Sequence, residues 1–306
     1  MNKTTIVIIS ILTIIVLGIL GMYYFLSPKD MVPVDNNNQS QSTSTPVGLE
    51  KPTLNEGDQV VIGKSVQGRD IVAYNYGKGD KRILFVGGIH GGYSWNTALL
   101  AYQTNKYFKE NSDVIPNNIV VTIIPTLNPD GLYKAVGNTN GIFMKTDVSK
   151  SQTVLSDSRF NANNVDLSRN FDCDWQAKGV WQTKTVSGGS APFSEPESLA
   201  IRNYVDTHKI DAVVVWYSSA GGVYASKCGN SDVLPETSLI TDTYAQASGY
   251  KAYKSFDFYE TTGDMVNWFA KKDIPAISVL LTTHTDTEWD KNKKGVDALL
   301  QYYQNK

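Results

Sequence analysis

The chain has 306 residues, 41% of which are hydrophobic, and this is enough for one large buried core. Its formal net charge is -2 at pH 7, so the molecule has no strong overall field of either sign. No nucleic-acid partner is expected, because domains of that class usually present a strongly basic surface.

The N-terminus carries the strongest bulk signal. Residues 5–26 contain no charged side chain and are long enough to cross a bilayer as a helix. Lys3 precedes them, so residues 1–4 are predicted to be cytoplasmic and the rest of the chain to lie outside the cell. The alternative is a cleaved signal peptide, but the apolar run is long and no small-residue cleavage site follows. We therefore expect a single-pass anchor in the cell membrane.

Residues 27–55, which follow the apolar run, are polar and of low complexity, and they contain DNNNQSQSTSTP. This composition is typical of a flexible linker, since it offers no hydrophobic face to bury. From about residue 56 the composition becomes globular. The predicted organisation is a tether followed by one domain over residues 56–306.

Short apolar runs alternate with helical patterns in residues 56–306. The apolar runs predict strands at residues 60–63, 71–76, 83–86, 119–124, 212–216 and 276–281. The helical patterns fall at about 95–110, 195–208, 235–248, 264–272 and 290–304. Ser194 and Glu197 predict a capping box at the second of these helices. The alternation predicts an α/β domain with a mixed, mostly parallel sheet flanked by helices, with its sites at the carboxyl ends of strands.

Several strand ends carry glycines and polar residues in a distinctive order. In chain order the motifs are GKSVQGRDI, GGIHGGYSWNT, LNPDGL, VDLSRNFD, FSEPES and IPAISVLLTTHTDTEW. Over about residues 56–306 this series resembles the zinc carboxypeptidases of the carboxypeptidase A type. Because separate motifs recur in the same order, the resemblance is more specific than any single short pattern. It implies that family's fold, a zinc cofactor and the removal of C-terminal residues from peptides.

The resemblance places the family's metal-binding and general-base positions on particular residues. The first zinc ligand, a His after a strand, is His90. The second, a Glu, corresponds to Ser94, or to Tyr93 in the register of the commonest form. The third, a His, corresponds to Ser218, and the Glu that acts as general base corresponds to Leu280.

The resemblance also implies substrate-binding residues. Arg169 matches the arginine that holds the substrate's terminal carboxylate, with Ser168 in place of the usual Asn neighbour. A guanidinium suits that role because it donates two parallel hydrogen bonds to a carboxylate. Tyr259 matches the mobile tyrosine that caps the substrate, and the arginine that polarises the scissile carbonyl corresponds loosely to Ile142.

These substitutions predict impaired zinc chemistry. A catalytic zinc site needs about three ligands of nitrogen, sulfur or carboxylate type and an open position for water. His90 supplies one ligand, whereas a serine hydroxyl is neutral and binds the ion poorly. Leu280 cannot accept a proton, and general-base assistance is typically worth about 10²–10⁴-fold in rate. The expected cofactor is zinc if the protein is an active enzyme, and otherwise none or a weakly bound ion.

The other histidines and the aspartates near Arg169 are predicted to have structural roles and not to bind metal. His208 lies near a helix end and is expected on the surface, and His284 is expected to be hydrogen-bonded in a loop. Asp166 and Asp172 flank Arg169 and are expected to orient it or to cap turns.

Cys173 and Cys228 are the two cysteines of the chain. Outside the cell they could form a disulfide, but the sequence leaves open whether their Cα atoms lie close enough. Neither belongs to a CxxC pair, so a cysteine metal site is not expected.

Three functions are open on these grounds. The first is a pseudoenzyme that keeps the carboxypeptidase cleft and binds peptide C-termini, cell-wall peptides among them, through Arg169 and Tyr259. The second is an active zinc metallocarboxypeptidase with an unforeseen ligand set. The third is a structural surface-interaction domain with no ligand in the cleft. The retained Arg169 beside a substituted metal centre favours the first.

Overall fold

The computed structural model describes residues 58–306. The predicted cytoplasmic N-terminus, membrane anchor and linker, at residues 1–4, 5–26 and 27–55, lie outside this part of the chain. Within residues 58–306, every helix falls short of the length and apolarity that a bilayer span requires.

The described residues contain ten strands, eight of them in one sheet. They are β1 (Asp58–Lys64), β2 (Asp70–Gly77), β3 (Lys81–Val86), β4 (Ile119–Ile124), β5 (Lys178–Trp181), β6 (Lys184–Ser187), β7 (Ala212–Ser218), β8 (Gly222–Ala225), β9 (Ala252–Tyr253) and β10 (Ala276–Leu281). The large sheet has the order β1-β2-β4-β3-β7-β10-β8-β9, and β5 pairs with β6 in a separate antiparallel hairpin. Strands β4, β3, β7 and β10 run parallel at the centre, whereas β2 and β8 run antiparallel to their central neighbours. The predicted mixed sheet is confirmed.

Seven α-helices accompany the strands in residues 58–306. They are α1 (Trp95–Glu110), α2 (Pro129–Val136), α3 (Gln152–Asp157), α4 (Pro196–Thr207), α5 (Pro235–Ser248), α6 (Met265–Lys271) and α7 (Trp289–Gln304). The five predicted helices correspond to α1, α4, α5, α6 and α7, whereas α2 and α3 were not predicted. Both of these are short, and a pattern of two turns or fewer is hard to recognise by periodicity.

The predicted capping box at the start of α4 is wrong. Glu195 is the N-cap residue, and the Ser194 hydroxyl donates to the Glu195 carboxylate instead of capping the helix. Glu197 is buried and accepts hydrogen bonds from the Val66 backbone N–H at 3.1 Å and the Asn161 side-chain amide at 3.0 Å. Its carboxylate therefore ties α4 to the turn between β1 and β2, and this tertiary contact outweighs the local cap.

The hydrophobic core lies on both faces of the large sheet. The four central strands are buried along most of their length because helices cover both faces. In β7, Val213 and Val215 share a buried cluster with residues of α4 and α6, whereas Val214 and Trp216 share one with residues of α1, α5 and α7. Since β3, β7 and β10 are parallel neighbours, the loops that follow them meet at one edge of the sheet.

Candidate functional site

The loops at the carboxyl ends of β3, β7 and β10 border a cavity of about 480 Å³. His90 follows β3, Ser218 ends β7, and Leu280 lies near the end of β10. Arg169 and Tyr259 also line this cavity, although they come from segments outside the large sheet. The fold therefore brings together side chains that are far apart in the sequence.

His90, at the predicted position of the first zinc ligand, is deeply buried. The residue is 6% exposed, and neither ring nitrogen has a hydrogen-bond partner among residues 58–306. Asp166 Oδ1 lies 4.0 Å from His90 Nε2. Burial, followed by the Arg159 cation, lowers the pKa of His90 well below its ordinary value. The imidazole is therefore neutral at pH 7, with one nitrogen free to accept a hydrogen bond and the other to donate one.

The other two predicted ligand positions carry hydroxyl groups. Ser94 directly precedes α1 and is 1% exposed, and its Oγ has no partner in the described part of the chain. Tyr93, the alternative position, packs its ring 4.5 Å from the His284 ring. Ser218 Oγ lies 3.2 Å from Asn96 Oδ1 and 3.0 Å from His284 Nδ1. None of the three side chains supplies the nitrogen, sulfur or carboxylate ligand that zinc prefers.

The predicted general-base position is apolar. Leu280 lines the cavity and is paired in register with Tyr217 on β7. Asp264 also lines the cavity, and its carboxylate caps α6 by accepting from the backbone N–H of Val266 and Asn267. Burial raises the pKa of Asp264, and its second oxygen lies 3.4 Å from the Tyr217 hydroxyl. This carboxylate is therefore engaged as a helix cap.

The donor set at the cavity does not fit the zinc that the resemblance implies. Of the predicted ligand positions, only His90 carries a suitable donor. Among the described residues, Cys173, Asp174 and Cys228 are a group of side chains close enough to share an ion. Their two sulfurs are joined in a disulfide, so they are not thiolate ligands. The described residues therefore do not provide the three protein ligands of a tetrahedral catalytic zinc site.

Arg169, the predicted carboxylate clamp, is 2% exposed and largely committed to the backbone. Its Nε and Nη2 donate to the Val180 carbonyl at 3.3 and 2.8 Å, and its Nη1 donates to the Ser168 carbonyl and hydroxyl at 2.8 and 3.1 Å. A Cβ at Gly179 would come within 2.9 Å of Arg169 Cδ, so the hairpin needs glycine there to pass over this side chain. The guanidinium is held in place, but little of its donor capacity remains free.

Arg159 is a second cavity arginine that the sequence interpretation missed. It is 2% exposed, and its Nε donates to Asp166 at 2.8 Å. Its Nη2 donates to Ser168 Oγ at 3.3 Å, and the guanidinium lies 4.6 Å from the centre of the Trp181 ring. No described residue accepts from Nη1, so Arg159 has more donor capacity to offer a ligand than Arg169.

The loose match of the carbonyl-polarising arginine to Ile142 places that position outside the cavity lining. Ile142 is 80% exposed and is not a cavity residue. Arg159 lines the cavity together with Arg169, and it lies ten residues before Arg169 in the segment that leads to the VDLSRNFD motif. A search for basic residues close to that motif would have found it.

Asp166 is the central counter-charge of the two arginines. It is fully buried, it caps the 3-10 turn Leu167–Arg169 by accepting from the Ser168 N–H, and it pairs with Arg159. Burial by itself raises the pKa of Asp166. The guanidinium groups of Arg159 and Arg169 outweigh this effect and hold the pKa of Asp166 well below its usual range. The prediction that Asp166 caps a turn beside Arg169 agrees with this geometry. Asp172 instead pairs with Lys271 at 3.0 Å, away from the guanidinium.

Tyr259, predicted to cap a substrate, lies on the loop between β9 and α6. Its ring centre is 5.8 Å from the Arg169 guanidinium carbon and 5.0 Å from the Phe256 ring. The side chain is half-buried and lines the cavity, with the exposed Phe258 beside it. The structure thus places an aromatic wall opposite the strand ends.

The remaining histidines differ in their relation to the site. His208 stacks on Tyr204 at 4.1 Å and is partly buried, not fully on the surface. His284 is hydrogen-bonded in a loop, as predicted, but its partner Ser218 belongs to the cavity. Burial and the Arg159 cation lower the pKa of His284 below its ordinary value. His284 is therefore a neutral cavity side chain at pH 7.

Comparison with known proteins establishes the family. The model of the zinc carboxypeptidase family matches residues 57–288, and this chain belongs to that family. Carboxypeptidase B of Astacus astacus is 27% identical over 192 residues, which cover 60% of this chain and 61% of that protein.

Solved structures show the same fold. Carboxypeptidase A from Helicoverpa armigera has a TM-score of 0.63 at 20% identity, covering 82% of this chain and 69% of that one. Murein-tripeptide amidase MpaA from Escherichia coli O157 has a TM-score of 0.55 at 18% identity, covering 83% of this chain and 94% of that one. The α/β architecture is therefore that of the carboxypeptidase fold.

Proposed function

We propose that this protein is a membrane-anchored, carboxypeptidase-like pseudoenzyme that binds the C-terminal end of peptides without the zinc chemistry of its family. The single observation that carries the proposal is a cavity lined by two buried arginines, with Ser218 and Leu280 at two of the predicted metal and base positions. A buried cation is stable only where a counter-charge pairs with it or where a ligand accepts its hydrogen bonds. Arg159 is only partly paired, so a peptide carboxylate suits its free N–H groups.

The proposed location is the outer side of the cell membrane. It is supported by the uncharged run at residues 5–26 and by Lys3 before it. The polar residues 27–55 then hold the domain away from the bilayer. On the outer side of the membrane such a domain would meet the stem peptides of the cell wall. These peptides are therefore the first ligands to test.

The binding test compares one peptide as the free acid and as the C-terminal amide. The amide has the same side chains but no negative charge, and charge-assisted hydrogen bonds are worth about 1.5–3 kcal/mol, or about 10–100-fold in affinity. We expect the amide to bind at least about 10-fold more weakly by calorimetry. Arg159→Gln should abolish the difference, whereas the matched control Arg202→Gln, which lies on α4 outside the cavity, should keep it. Equal affinities for acid and amide would refute carboxylate recognition.

One observation favours the alternative of an active zinc enzyme. Both ring nitrogens of His90 are buried without partners, and a metal is one way to satisfy such a group. Metal analysis decides the matter: wild-type protein should contain no stoichiometric zinc and should show no peptide hydrolysis that a chelator abolishes. The variant Ser94→Glu/Ser218→His/Leu280→Glu should gain zinc. Zinc at one equivalent in the wild type, with hydrolysis, would establish the enzyme instead.

A further inference from the structure

Ser218 and His284 form a hydroxyl–imidazole pair inside the cavity. Ser218 Oγ lies 3.0 Å from His284 Nδ1, and both side chains line the cavity. They come from different strand ends, because Ser218 closes β7 and His284 follows β10. This is the arrangement in which an imidazole can take the proton of a serine that attacks a carbonyl.

The pair is fixed by a third side chain. Ser218 Oγ donates to Asn96 Oδ1 at 3.2 Å, and Asn96 Nδ2 donates to the Thr283 carbonyl at 2.7 Å and the Asp286 carbonyl at 2.9 Å. Asn96 therefore joins the end of β7 to the loop that carries His284. Asn96 thus orients the nucleophile, and the Ser218 proton must turn from Asn96 Oδ1 to His284 Nδ1 before the hydroxyl can attack.

The cavity also has a group that can stabilise negative charge on a carbonyl oxygen. Tyr93 packs between the base and a cation: its ring centre is 4.5 Å from the His284 ring and 5.8 Å from the Arg159 guanidinium carbon. Arg159 keeps an Nη1 group that no described residue engages. Where the carbonyl of a bound ligand reaches this Nη1, the guanidinium can supply the electrostatic stabilisation that acyl transfer requires.

We propose that Ser218 is a nucleophile and His284 its base in metal-independent acyl transfer from the C-terminal amide or ester bond of a ligand in this cavity. This inference rests on the proposed binding of peptide C-termini. Ser218 Oγ forms a bond to the carbonyl carbon and its proton moves to His284 Nδ1. The bond from that carbon to the leaving amine or alcohol breaks, and the leaving group takes the proton from His284. Water then hydrolyses the acyl-serine ester, releasing the acid and restoring the Ser218 hydroxyl.

A fluorophosphonate reagent tests the pair, because it phosphonylates activated serine hydroxyls. We expect one phosphonyl group per wild-type molecule, located on Ser218 by mass spectrometry. Ser218→Ala should abolish the modification, and His284→Gln should slow it by about 10²-fold or more, the range of general-base assistance. The matched control Ser219→Ala removes the neighbouring hydroxyl and should react at the wild-type rate.

The outcomes separate this inference from the function on which it rests. No labelling, or labelling that does not depend on His284, overturns the pair even when free-acid peptides still bind. Labelling that depends on both residues, together with equal binding of peptide acid and amide, supports the pair and refutes the carboxylate site. Unfolding midpoints of the Ser218 and His284 variants should match the wild type, so that lost labelling reports chemistry and not lost structure.

Discussion

Removing the disulfide is expected to lower the free energy of unfolding by about 4 kcal/mol. Cys173 and Cys228 are bonded with their Cα atoms 5.7 Å apart, and they are separated by 55 residues. Closing a loop of that length removes conformational entropy from the unfolded chain, and the loop-length relation gives about 4 kcal/mol at 25 °C. The variant Cys173→Ser/Cys228→Ser removes the cross-link while keeping side chains of similar size.

Urea unfolding followed by tryptophan fluorescence measures the loss. At a slope of about 3 kcal/mol per molar, the midpoint should fall by somewhat more than 1 M. Wild-type protein measured with a reductant should match the double variant, and the double variant should not respond to the reductant. A loss below about 1 kcal/mol would refute the entropic reasoning. The cross-link also joins two walls of the cavity, since Asp174 and Gly229 follow the two cysteines, so peptide affinity should fall as well.

Three further predictions concern the buried charges and the hairpin. Arg159→Met should lower the free energy of unfolding by about 3–5 kcal/mol in thermal melts, because Asp166 would remain buried without its partner. The control Arg202→Met should change the free energy of unfolding by less than about 0.5 kcal/mol. Since the pKa of Asp166 is lowered in the folded state, its contribution to folding stability is complete above the unfolded pKa of 3.8 and is lost as the pH falls below that value. Thermal midpoints measured from pH 6 to pH 2 should therefore drop less steeply for Asp166→Asn than for the wild type. Gly179→Ala should push its new methyl group against Arg169, and a thermal midpoint equal to that of the wild type would contradict that contact.

The central fold could be read from the sequence because its strands carry an unmistakable pattern. Strands β4 and β10 are continuous apolar runs, buried on both faces, and the predicted bounds agree with the structure. The short hairpin of β5 and β6 was not predicted. In β5 the exposed Lys178 and Val180 alternate with the buried Gly179 and Trp181, and four positions are too short a pattern to separate from a loop.

The candidate site could be predicted only in part. His90, Ser218 and Leu280 were located because family motifs sit at strand ends, and the structure does bring them to one cavity. Arg159 was missed because it belongs to no strand or helix, and its burial depends on Asp166, Trp181 and the fold around them. The hydrogen bonding of Arg169 could not be predicted either, because any residue can provide the backbone carbonyl that accepts from it.

The hairpin of β5 and β6 provides a carbonyl oxygen that occupies a position where a ligand would be bound by Arg169. The Val180 carbonyl on β5 occupies two nitrogens of Arg169, and Trp181 beside it covers Arg159. A ligand carboxylate that takes a full share of Arg169 must displace that carbonyl, which exchanges one acceptor for another at nearly constant hydrogen-bond count. At the proposed binding site the Val180 carbonyl would therefore compete with a ligand carboxylate for Arg169, and a change in Trp181 emission on peptide addition would report the exchange.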